Sequence, residues 1–125
     1  MYAGNDVAVF RLPGFPDREQ LDDKAKIRIE PDSASVLRIA LINSENGSDL
    51  CELKAQVQGS SAVLEAGQPC FGSEGEGAIT AEMTSGTVVL KGDRLTMEAS
   101  GTLSLTLADQ EVEGDLSYSF NGKRQ

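Results

Sequence analysis

From residue 94 to residue 120, apolar and polar residues alternate with period two, pass through a turn, and return with the parity reversed. Leu95, Met97, Ala99, Leu103, Leu105 and Leu107 hold one set of positions, and Thr96, Glu98, Ser100, Thr102, Ser104 and Thr106 hold the other. Beyond Ala108-Asp109-Gln110-Glu111 the apolar set becomes Val112, Leu116, Tyr118 and Phe120. A strand turns successive side chains to opposite faces, so this pattern predicts an antiparallel hairpin with one dry and one wet face. That fixes the fold class as all-β.

The rest of the chain agrees. Val7–Leu12 reads as a first strand, ended by the Pro-Gly-Phe-Pro break at 13–16. Residues 17–24 are dominated by charge and read as a short helical turn or a loop. Ala25, Ile27 and Ile29 alternate with Lys26, Arg28 and Glu30 up to Pro31, a half-buried strand, and Val36–Ile42 is a denser apolar run. Cys51, Leu53, Ala55 and Val57 alternate with polar residues, and Gly59-Ser60-Ser61 turns the chain into Ala62–Ala66. Ile79, Ala81 and Met83 form the next strand, Ser85-Gly86 is expected to turn it into Val88 and Leu90, and Gly92-Asp93 turns that into the strand at 94. Gly101 is where that long strand is expected to bend or bulge. Helical periodicity is absent from residue 25 onward. Eight or nine strands with hairpin-length links predict an antiparallel meander closed as an up-and-down barrel, with a two-sheet β-sandwich as the alternative.

At 125 residues the chain makes one domain, 1–125, with residues 1–24 as an N-terminal segment whose order the pattern does not dictate. With no Trp, two Tyr and four Phe, the core must be mainly aliphatic. The two cysteines, Cys51 and Cys70, flank a hairpin-like segment and are expected to form a disulfide, with free thiols as the alternative. A disulfide implies a secreted or periplasmic protein whose signal peptide has been removed, and free thiols imply the cytoplasm. No apolar run reaches the ~18 residues of a membrane helix, so membrane insertion is not expected.

Charge narrows the partners. The formal net charge is −9, and residues 39–122 carry only Lys54, Lys91 and Arg94 against thirteen acids. Such a body repels nucleic acid and anionic lipid, and leaves a basic protein or a cation as the electrostatically favoured partner. The absence of histidine excludes imidazole as base, acid or metal ligand. No serine stands in a nucleophile elbow, and no carboxylate pair is singled out among twenty acids, so the chain is not read as an enzyme and no cofactor is expected.

Two acidic features are candidate cation or partner sites. Asp109, Glu111, Glu113 and Asp115 form the densest row, the last three on the wet face of the final strand. A straight ladder does not by itself supply the six to eight converging oxygens that calcium takes, so a solvated face that protects a strand edge is the simpler reading. Glu74 and Glu76 lie among glycines in 71–77, where a loop could wrap an ion, although no EF-hand spacing is present. Phe71 beside them is a core plug or a lid. Gly75-Glu76-Gly77 lacks the helix a nucleotide fingerprint needs. Tyr2, Phe10, Tyr118 and Phe120 either line a cavity or fill the core, and their parity favours the core.

These observations predict a non-enzymatic extracytoplasmic β-domain that binds a macromolecule or serves as an accessory module. The alternative is a small lipocalin-like barrel carrying an apolar or amphipathic ligand. Interior volume separates the two: the continuous mid-sized dry-face residues predict a filled core rather than a cavity of about 300 Å³.

Overall fold

The computed structural model describes residues 1–70 and 79–125. Phe71, Glu74, Glu76 and the glycines around them therefore lie outside the described residues. The strands are β1 (Tyr2–Arg11), β2 (Arg18–Pro31), β3 (Val36–Ile42), β4 (Asp49–Gln58), β5 (Ser61–Leu64), β6 (Gln68–Pro69), β7 (Ile79–Lys91), β8 (Arg94–Leu107) and β9 (Gln110–Arg124). All pairings are antiparallel. Neighbours in the chain are neighbours in the sheet, β9 returns to β1, and β5 pairs with β7. Eight strands thus close into an up-and-down barrel, with the short β6 added on the edge of β7 that β5 has left. Closure excludes the sandwich.

The alternation that predicted the hairpin also sets which side chains fill the barrel. Leu95, Met97, Leu103, Leu116, Tyr118 and Phe120 are buried, as are Ile27, Ile39, Leu53, Met83 and Val88 from the other strands. An eight-stranded barrel is just wide enough for side chains to fill it, and aliphatic residues fill this one. Tyr2 joins the core, and Phe10 packs partly against it.

Two local expectations are corrected. Residues 18–24 are neither helix nor loop but part of β2: Arg18 through Asp22 pair with β1, with Phe10 opposite Arg18 and Val7 opposite Leu21. Cross-strand pairing outweighs the local charge density that suggested otherwise. Ser85-Gly86 does not reverse the chain either. β7 runs straight through it with a bulge between Met83 and Ser85. Gly86 faces the interior, where an added Cβ would come within 2.6 Å of Leu64 Cδ1 and 2.9 Å of Ala99 Cβ. The glycine permits close approach and not a turn. The bend expected at Gly101 falls in this place, because Gly101 pairs with Met83 and the extra residue, Thr84, is carried by the facing strand.

The seam between β4 and β7 is closed differently from the rest. β5 is four residues long, and where it stops the amide of Gln68 takes its place. Lys54 N–H donates to Gln68 Oε1 at 2.6 Å, and Gln68 Nε2 donates to the carbonyls of Lys54 (2.9 Å) and Glu65 (2.6 Å). A side-chain amide carries the same donor and acceptor as a peptide, so it caps the edge of β4 as a strand residue would. One step further on, Cys51 of β4 is bonded to Cys70 with 5.0 Å between their Cα atoms, the disulfide that the cysteine spacing predicted.

Candidate binding surface

The stapled end of the barrel gathers the β1–β2 turn, the β3–β4 loop, the Cys51–Cys70 bond and the β8–β9 turn. Here the wall is incomplete. β3 ends at Ile42 opposite Lys26, so β2 residues 18–25 have β1 on one side and no strand on the other among the described residues. A bulge at Asp23-Lys24 shifts the register, with Gly4 opposite Ala25 but Asp6 opposite Asp22. The odd residues of β2 point inward beyond the bulge, as Ala25 and Ile27 do, and the even ones, Arg18, Gln20 and Asp22, point inward before it. This end of the barrel interior is therefore lined partly by polar groups.

An apolar recess of about 430 Å³ opens there, lined by Phe10, Leu12, Phe15, Leu103 and Leu105, with Arg18 and Gln20 among its polar lining. Beside it Gly114 pairs with Leu103, and a Cβ there would collide with the Arg11 carbonyl oxygen, so only glycine lets the end of β1 lie this close to β9. Phe15 is 52% exposed. The middle of the barrel is filled as the sequence predicts, but this end holds a recess larger than expected. Leu105, grouped with the dry face by parity, lies half-buried at its rim. A longer groove of about 590 Å³ crosses the outer face of β1, β9 and β8 over Val7, Val9, Ser100, Ser117 and Ser119, with Glu98 as its one charged residue. It is open and has no converging charges.

The acidic row is spread along the surface. Asp109 sits in the two-residue β8–β9 turn with φ 64°, and Glu111, Glu113 and Asp115 follow on the exposed side of β9. Ser104 Oγ donates to Glu111 Oε1 at 2.5 Å, and Arg11 Nη1 stands 3.4 Å from Asp115 Oδ1. β1 pairs with β9 no further than Arg11 opposite Asp115, so Glu111 and Glu113 lie on a stretch of β9 that has lost that neighbour. Like charges there discourage another strand from adding. No group of three or more metal-ligating side chains occurs among the described residues. Many of the N-terminal bases are used internally: Arg28 pairs with Glu30 and Asp49, and Arg38 with Glu30 and Asp32, on the outer face of β2–β4.

Sequence reasoning missed a second polar feature. Asp6 and Asp22 are register partners facing inward, and Tyr118 Oη donates to Asp6 Oδ2 at 2.9 Å. Burial pushes the Asp6 carboxyl above its ordinary range and the nearby Asp22 adds to this, against the lowering effect of the Tyr118 hydrogen bond. Burial and the adjacent Asp6 charge raise the Tyr118 phenol in turn. The only advance sign was the Asp-Asp-Lys break in an otherwise regular strand, which reads as a loop unless its partner strand is known.

The fold and this end define a closed, disulfide-stapled β-barrel domain with an apolar recess beside a strand edge that is unpaired among the described residues. No protein-family model matches the chain, and no curated protein matches it. Among solved structures it is similar to the monomer form of the M. tuberculosis PknI sensor domain, at 10% identity and a TM-score of 0.42, over 99% of this chain and 90% of that one.

Proposed function

We propose that this barrel is a non-enzymatic extracytoplasmic domain that works by binding a macromolecular partner at its stapled end. The observation that carries the reading is the contrast between a filled interior and the open apolar recess of about 430 Å³ at the stapled end. A barrel packed with Ile27, Ile39, Leu53, Leu95 and Met97 has its middle filled, and the recess at the stapled end is the place where apolar side chains of a partner can enter. Phe15, Leu21 (70% exposed) and Leu50 (43%) add apolar surface around that end. The Cys51–Cys70 bond supports an oxidising compartment, where disulfides persist. The net charge of −9 favours a basic partner.

The recess also supports a second reading, in which it holds a small apolar or amphipathic ligand, since its volume falls within the range of about 300–1,000 Å³ of such sites. One experiment separates the two. A photo-cross-linking residue is placed at Phe15, with a control at Lys91 of the opposite end, in protein exported to an oxidising compartment. A specific protein adduct at position 15 alone, rebuilt from purified components, supports macromolecular binding. Equal labelling at both positions removes it. A retained small molecule in the native mass spectrum moves the assignment to the second reading.

A further inference from the structure

We infer that the partner enters as an extended strand, pairing with the free edge of β2 over Arg18–Asp22 and sending alternate apolar side chains into the recess. This rests on the reading above that the stapled end is the binding end. The backbone of β2 in this run pairs with β1 only, so every second residue turns its N–H and C=O away from β1. Residues 18 to 21 are exposed, and among the described residues their backbone has no partner on that side. The run is bounded at one end by the β1–β2 turn. At the other end the Asp23-Lys24 bulge, held by Lys24 N–H donating to Asp22 Oδ1 at 2.9 Å, interrupts any longer pairing. Five residues of strand span about 16 Å, enough for a short added strand.

The recess decides what that strand carries. Arg18 and Gln20, the inward residues of the run, belong to the recess lining, so a strand added beside them continues the barrel wall and points every other side chain toward Phe10, Leu12 and Phe15. Its remaining side chains lie outward beside Glu19 and Leu21. Asp17, Glu19, Asp22 and Asp23 outnumber Arg18 and Lys24 along this edge, on a chain of net charge −9. The partner segment therefore alternates apolar residues with lysine or arginine. The same charges disfavour acidic strands, this chain's own acidic edge in a second copy included.

The test uses the full disulfide-bonded chain and a synthetic seven-residue peptide of alternating valine and lysine, followed by amide hydrogen exchange and fluorescence anisotropy. At saturation, the outward amides within Arg18–Asp22 should slow by at least about tenfold, and Phe15→Ser should weaken binding by about tenfold. Glu19→Lys with Asp23→Lys should weaken it as well, and a valine–glutamate peptide should not bind. Peptide binding that leaves the amides of 18–22 unprotected overturns strand addition, as does equal binding of the valine–glutamate peptide. If a partner cross-links at position 15 while its complex leaves these amides unprotected, strand pairing is refuted and the binding end stands. If position 15 captures no partner, the functional reading fails whatever the peptide does.

Discussion

The β8–β9 hairpin and the β1–β2 ribbon belong to one barrel, yet the first is walled on both sides from Arg94 to Thr102 and the second is not among the described residues. From Arg94 opposite Lys123 to Leu107 opposite Gln110, β8 and β9 pair without a break. Along the stretch where further strands cover both outer edges, the inward positions are apolar and buried. Leu95 is 0% exposed and Met97 1%. In the ribbon, β2 has no outer neighbour before residue 26 among the described residues, and the inward positions become Arg18, Gln20 and Asp22 opposite Phe10, Ala8 and Asp6. Inward therefore means dry only where the wall is closed on both sides. At the β4–β7 seam the wall is again short of backbone, and there a side-chain amide and a disulfide supply the closure.

That difference sets the order of the expected effects. Leu95→Ala, in the complete wall, should cost about 2–5 kcal/mol in urea unfolding, because a cavity opens where nothing can collapse into it. Leu105→Ala, at the rim of the recess, should cost under about 1.5 kcal/mol. Equal losses at the two sites would break the distinction. Removing the disulfide by Cys51→Ala with Cys70→Ala should cost about 3 kcal/mol in the chain-entropy account for a separation of 19 residues. Amide exchange should then rise first along the seam, at β5 and β6. Gln68→Ala should cost about 0.5–1.5 kcal/mol, the net worth of the hydrogen bonds its amide makes to Lys54 and Glu65. A loss below half a kilocalorie there would mean that water replaces the side chain.

The same contrast explains what the sequence could and could not show. Period two is legible where one face of a strand is dry, so β4, β8 and β9 were recognisable from residues such as Leu53, Leu95 and Leu116, and β3 from its continuous apolar run. It fails where a bulge exchanges the faces. At Asp23-Lys24 the inward set passes from even to odd residues, and with polar residues on both faces nothing in the local pattern signals a strand. Gly86 misled for a related reason: a glycine needed for close approach to Leu64 and Ala99 is identical, in sequence, to one needed for a turn. The disulfide was legible from spacing, and the acidic row from parity. The recess was not, because Phe10, Leu12, Phe15 and Leu103 meet only through the barrel closure.

The ribbon yields the smallest expected effect. Burial and Asp22 hold the Asp6 carboxyl above its ordinary value of 3.8, so the folded chain takes up this proton at higher pH than the unfolded one does. In the window between the two values the native state binds more protons, and stability falls as pH rises through the raised folded value. Above it the ionised carboxylate is a constant cost, and below the ordinary value the cost is gone. Asp6→Asn keeps an oxygen to accept the Tyr118 hydroxyl and cannot ionise. It should therefore stabilise the protein at pH 7, by under about 1 kcal/mol for a half-buried group, and change nothing at pH 3. Urea unfolding across that range tests it. If the missing wall admits enough water to solvate Asp6 fully, the variant and the parent will follow the same pH profile, and the inward face of the ribbon is wetter than its burial implies.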